Sequence, residues 1–199
     1  MPYIGLSGVS PAKAFGWGAY QASSDSGAYF PLQIITVGGS GASSINFNNI
    51  PTTTYSNLQL RIFGRTDRSG NTQDTISIRF NSDSGNNYSR HMLFGDGSGG
   101  PVSTDSATSA NLMVVSRFSG ATATSTRYGS GIVDIFDYKN TNKYKIIKSL
   151  GGIDLNGSGE VYFASGAWMN TNAITSIQVI SNTGSNFVQE SVFALYGVK

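Results

Sequence analysis

The stretch NLQLRIF (57–63) alternates side by side, and that alternation constrains this chain more than any other feature. Leu58, Leu60 and Ile62 fall on one side of an extended segment, with Gln59, Arg61 and Phe63 on the other. TISIRF (75–80) repeats the pattern, setting Ile76, Ile78 and Phe80 against Ser77 and Arg79. A period of two is the signature of a strand whose two faces meet different surroundings. The same reading makes strand candidates of LQIITV, SSINF, YSRHMLF, NLMVVSRF, SGIVDIFDY, KYKIIKSL, EVYFASGAW, TSIQVI and SVFALYGV. Turn-rich pieces separate them: GRTDRSGNT, NSDSGNN, GDGSGGPVSTDSATS, NGSG and SNTGSN. No segment longer than a turn carries a 3.6-residue period. Many short strands at this spacing predict an all-β, jelly-roll-like antiparallel β-sandwich over residues 32–199.

The composition agrees. Only 12% of the 199 residues are charged, about half the usual share, and small polar residues and 25 glycines fill the gap. A formal net charge of +2 is too small to mark a nucleic-acid footprint. The absence of cysteine excludes disulfides and thiolate metal sites. No apolar run reaches the ~18 residues of a membrane-spanning helix, so no membrane insertion is expected. The first residues lack the continuous apolar stretch of a secretory leader.

Residues 1–31 read differently, as an extended N-terminal arm. Tyr3, Ile4, Leu6, Phe15, Trp17 and Tyr20 are apolar or aromatic, but Gly5, Gly8, Pro11, Gly16 and Gly18 interrupt every helix or strand they could form. Such an arm orders by laying its large side chains into pockets of a neighbouring protein, or by packing on its own domain. At the other end, SVFALYGV has apolar residues on both faces, as an interior strand does. Removing it is expected to abolish folding rather than trim a tail, as loss of the folded far-ultraviolet dichroism of a chain ending at residue 190 would show.

Catalytic and metal chemistry find little support. His91 is the only histidine and has no recognisable carboxylate or nucleophile partner. Asp134 and Asp137, three apart on a strand, point to opposite faces and cannot flank one bond as glycosidase carboxylates do. Asp83 in NSDSGNNYS offers one carboxylate where a tight calcium site uses several. A hairpin turn with Gly85 at positive φ accounts for that stretch more simply. GDGSGG (95–100) lacks the lysine of a phosphate loop and reads as a flexible loop. No catalytic residue, metal ligand or cofactor is assigned, and the chain is expected to be non-enzymatic.

Arginines and aromatics on the strands are the better lead. Arg61, Phe63, Arg79, Arg90, Tyr138 and Trp168, with Tyr128, are candidates for a subunit interface or surface contact, because arginine and aromatic residues are enriched there. A sugar-stacking surface and an ordinary solvated face are the alternatives.

Several motifs in order resemble a known group. INFNNIPTTTYSNLQLRIFGRTDRSG, ISIRFNSDSGNNYSRHMLFGDGS, IVDIFDYKNTNKYKIIKSLGG, SGAWMNTNAITSIQVI and NFVQESVFALYGVK are similar to segments of virion structural proteins of tailed bacteriophages, of the marine phage and cyanophage type, often labelled tail fibre proteins. The resemblance spans about residues 33–199, and the opening MPYIGLSGVSPA resembles the start of many phage fibre proteins. It implies a homotrimer located on the virion, with other tail or capsid subunits as partners and host-surface glycan as a further one. It also implies a particle-attachment role for the arm residues named above. Many fibre proteins place a long shaft between these parts, whereas here the arm runs almost straight into the β domain. That departure leaves capsid decoration (a cement protein) as the alternative, with a carbohydrate-binding module or a depolymerase behind it.

Overall fold

A computed structural model describes residues 28–99 and 101–199. The alternating segments all become strands: β1 (Tyr29–Thr36), β2 (Ser44–Phe47), β3 (Asn57–Gly64), β4 (Gln73–Phe80), β5 (Tyr88–Gly95), β7 (Met113–Ser119), β8 (Gly129–Phe136), β9 (Lys145–Asp154), β10 (Gly159–Trp168), β11 (Ile177–Ser181) and β12 (Val192–Val198). One more, β6 (Ser103–Ala110), forms mostly from the end of GDGSGGPVSTDSATS, a piece expected to be turn-rich. Its sequence STDSATSA is polar on both faces and gives no periodic signal, but it forms the outer edge of a sheet by pairing with β5. No helix occurs among the described residues. The six arm residues from Tyr3 to Tyr20 lie outside the described residues. β1 opens at Tyr29, so residues 29–31, assigned above to the arm, belong to the sandwich.

The pairing is nested. β1 pairs with β12, β2 with β11, β3 with β8 and β4 with β7, while β12 also pairs with β3 and β11 with β4. This is one long hairpin folded across two sheets, the jelly-roll arrangement of a β-sandwich. Two hairpins are inserted into it. β5–β6 lies between β4 and β7 in the chain and β9–β10 between β8 and β11; β10 pairs with β5, and β9 with β8. Both insertions extend the same sheet. The result is an eight-stranded sheet, β1-β12-β3-β8-β9-β10-β5-β6, facing a four-stranded sheet, β2-β11-β4-β7.

Inward residues of both sheets make the core, including Leu58, Leu60 and Ile62 from β3 and Ile76, Ile78 and Phe80 from β4. Phe118, Phe187 and Phe193 meet at ring separations of 4.8–6.1 Å. Beyond β7 the wider sheet is filled by a smaller cluster around Met92, Val114, Tyr162 and Ala164. The two cations buried among the described residues are tied to backbone carbonyls. Lys145 Nζ donates to Asn140 O, Lys143 O and Thr171 O at 2.5–3.0 Å, and burial lowers its pKa. Arg65 donates to Thr124 O, Ala121 O and Ala123 O at 2.7–2.9 Å, which shapes the loop leading into β8.

β7 approaches β8 and β9 closely because glycines face it. A Cβ on Gly151 would lie 2.4 Å from Ser116 Oγ and 2.7 Å from Ser130 O. Gly151→Ala is therefore expected to cost about 1–3 kcal/mol of stability through overpacking, readable as a fall in the urea midpoint with the slope unchanged.

Candidate interaction face

Alternation gives each sheet one inward and one outward face, and the two outward faces of this sandwich are chemically unlike. On the four-stranded sheet, Asn46, Gln178 and Arg79 form one transverse row and Ser44, Ile180 and Ser77 the next. On β2, β11 and β4 these positions are polar apart from Ile180. On the eight-stranded sheet, the register places Ile34, Ala194, Arg61, Ile132, Leu150, Phe163 and Leu93 in one row crossing seven strands. Ile132, Leu150, Phe163 and Leu93 are 44–55% exposed and adjacent. Phe136 and Ile146 pair farther along β8 and β9, and Val161 projects at 66% exposure. Isolated exposed apolar residues are ordinary, but a contiguous set of this size marks a contact surface.

Beside that ridge the neighbouring row falls to small residues. Phe63 is opposite Ser130, Ser130 opposite Gly152, Gly152 opposite Val161 and Val161 opposite Gly95. A groove of about 670 Å³ follows, lined by Arg61, Tyr128, Ser130, Leu150, Gly152 and Val161 among others. One wall is Tyr128, on whose ring Phe63 stacks at 5.1 Å with ring planes 11° apart. Tyr128 is held in turn by its hydroxyl, which donates to Gln189 O at 2.9 Å.

Arg61 and Asp134 are engaged within the face. Arg61 Nε donates to Gln59 Oε1, and Gln59 Nε2 to Asp134 Oδ1, both at 2.8 Å. The Arg61 guanidinium also lies over the rings of Tyr29 and Tyr196, 5.1 and 4.6 Å from their centroids. Lys148 is opposite Asp134 in the register.

The six residues expected at a surface contact are dispersed. Arg61 and Phe63 share the apolar face. Arg79 sits on the opposite, polar face, with its Nε donating to Asn111 O at 3.1 Å. Arg90 falls on the inward side of β5, where its guanidinium pairs with Asp105 at 3.0 Å. Tyr138 and Trp168, expected to be exposed, are core residues at 0 and 1% exposure. Tyr138 donates its hydroxyl to Pro51 O, and burial raises its pKa. Trp168 has the parity of Tyr162 and Ala164, which face inward. The ridge residues Ile132, Leu150, Phe163 and Leu93 were missed, although the alternation of β8, β9 and β10 already placed apolar residues on both faces.

The NSDSGNNYS turn is a structural knot. Asp83 Oδ1 accepts from the Gly85 amide at 2.9 Å, and its Oδ2 from Trp168 Nε1 at 2.7 Å. Asn87 Nδ2 donates to both oxygens, at 3.2 and 3.0 Å. Positive φ falls on Asn81 and Ser82 rather than on Gly85, correcting the expectation for that glycine. Tyr88 closes the turn, its hydroxyl donating to Asp83 O, and burial pushes its pKa up to about 12. His91 is exposed on the outer face. Among the described residues no three His, Asp or Glu side chains gather as a metal site would require.

No protein-family model matches the chain, and neither a curated protein nor a solved structure matches it.

Partial burial pushes the Asp83 carboxyl up, while hydrogen bonds from Trp168, Asn87 and Gly85 together outweigh it and hold the pKa below the ordinary value. A depressed folded-state pKa contributes stability that is present above the unfolded value, ~3.9, and is lost as pH falls through the folded one. Asp83→Asn is expected to lose about 1–3 kcal/mol at pH 7. In urea titrations at several pH values, its deficit against wild type should hold constant down to about pH 5 and narrow below about pH 4.

Proposed function

We propose that the chain is a non-enzymatic structural protein of a tailed-bacteriophage particle, a β-sandwich displayed on the virion as a short tail appendage. The observation that carries the structural role is the apolar outer row Ile132–Leu150–Phe163–Leu93, a surface suited to protein contact. The resemblance of residues 33–199 to phage virion proteins supplies the phage assignment, and the arm residues Tyr3, Ile4, Leu6, Phe15, Trp17 and Tyr20 supply the attachment. Other tail or capsid subunits are the partners, and a host-surface glycan is one thing such an appendage contacts.

Capsid decoration is the second reading, and the breadth of the sheet favours it. Both inserted hairpins widen one sheet to eight strands without lengthening the sandwich. A broad apolar face of that kind suits a protein that lies against a shell and stabilises it by burying area.

Gold-labelled antibodies against residues 34–199, applied to purified particles, separate the two. Gold at the tail or its junction is the expected result. Gold spread over the head makes the protein a decoration protein, and particles lacking it then lose heat resistance while still adsorbing. Intact particles that bind no gold, with the epitope shown to be accessible, would overturn both. Release of reducing ends from host capsule would overturn the non-enzymatic reading in favour of a depolymerase.

A further inference from the structure

We infer that the apolar outer face of the eight-stranded sheet is a two-fold interface between two copies of this chain, in place of the homotrimer that the phage resemblance implies. Shape is the first reason. The ridge formed by Ile132, Leu150 and Phe163 runs beside the depression over Ser130 and Gly152. A two-fold axis lying in the plane of the interface, parallel to the ridge and midway between ridge and depression, sets the ridge of each copy into the groove of the other. The groove of about 670 Å³ is therefore an acceptor for the partner's Ile132 and the partner's Leu150, which come over Ser130 and Gly152. An isologous interface demands such self-complementarity, because the same patch must serve as both halves.

Charge is the second reason. Arg61, Gln59 and Asp134 are hydrogen-bonded in a chain along one flank of the ridge, and Lys148 faces Asp134. The groove's Glu160 and Asp154 are paired in turn with Arg117 and Arg127, so opposite charges lie side by side across the face and no single-signed patch selects an acidic or basic partner. A copy of itself meets no concentrated like charge.

Area is the third. From Ile34 on β1 to Leu93 on β5 there are six strand spacings of about 4.8 Å, and from Ser130 to Phe136 six residues of about 3.3 Å. That plane is roughly 29 by 20 Å, on the order of 600 Å² before corrugation, and approaches the ~800 Å² per partner of a standard interface.

The full chain should sediment as a dimer, and Leu150→Lys, which sets a charge on the ridge, should sediment as a monomer with unchanged far-ultraviolet dichroism. A monomeric wild type at its highest soluble concentration would overturn the proposal, and so would a trimer, whose three-fold axis cannot be built from one isologous patch. Should Leu150→Lys fail to fold, the cysteine-free chain provides a second route. Leu150→Cys and Asn46→Cys each introduce a single thiol, on the apolar and polar faces respectively. Maleimide labelling of the first should slow at least tenfold as concentration rises through the dimer range, while the second keeps its rate. Slow labelling of Leu150→Cys at dilutions where sedimentation shows a monomer would mean that the chain's own residues 1–27 cover the face. Fast labelling at every concentration would mean that nothing does. Either result overturns the proposal. The phage reading fails separately: a monomer found on particles refutes the dimer alone, and a dimer absent from particles refutes the virion role alone.

Discussion

The last strand of the chain closes the fold by hydrogen-bonding on both of its edges. Leu195 is registered with Gln33 of β1 and with Leu60 of β3 at once, so β12 pairs with two segments from which most of the sequence separates it. Its side chains also serve both faces: Phe193 and Leu195 are core, whereas Val192, Ala194 and Tyr196 look outward. The nested pairs inside it depend on that closure, because each brings together strands that no short loop joins. Ordering such loops costs entropy before the contacts reward it. The sandwich is thus committed as a unit, and its two ends cannot be trimmed independently.

The inserted hairpins make the two sheets unequal, and the inequality has consequences on both sides of the wider sheet. On its inner side, where the four-stranded sheet runs out beyond β7, the gap is filled by Met92, Tyr162 and Val114, with Arg117 paired to Glu160 at 2.8 Å and placed over the Phe94 ring. Burial beside that pair raises the Glu160 carboxyl pKa. On its outer side the same strands align Ile132, Leu150, Phe163 and Leu93 into a single apolar row. β6 ends the sheet with exposed polar residues, which blunts an edge that would otherwise invite further strands.

The sequence was most readable where a strand had one plainly apolar parity. Leu58, Leu60 and Ile62 went inward as their spacing required, and Arg61 and Phe63 outward. It misled where parity was undefined or hidden. Tyr138 follows the end of β8, so no alternation fixed its direction, and it turned into the core. Trp168 ends β10, a strand with aromatic residues on both sides, and only its step from Ala164 marked it as inward. β6 had no apolar residue larger than alanine to mark either face. Arg79 was correctly read as outward, yet outward on the other sheet, which parity within one strand cannot tell.

By itself the sequence determined that the chain is all-β, which residues share a side of each strand, and that the final strand is interior. A period of two is a local property, set by the alternation of Cβ directions, and it survives translation into any sheet. Only the tertiary structure decided which strands are neighbours, that both inserted hairpins join the same sheet, and that the exposed apolar residues of five strands fall into line with a groove beside them. Register across strands is set by hydrogen bonding between distant segments and by how the inward side chains fill the space between the sheets. Neither is written in the order of residues along any one strand.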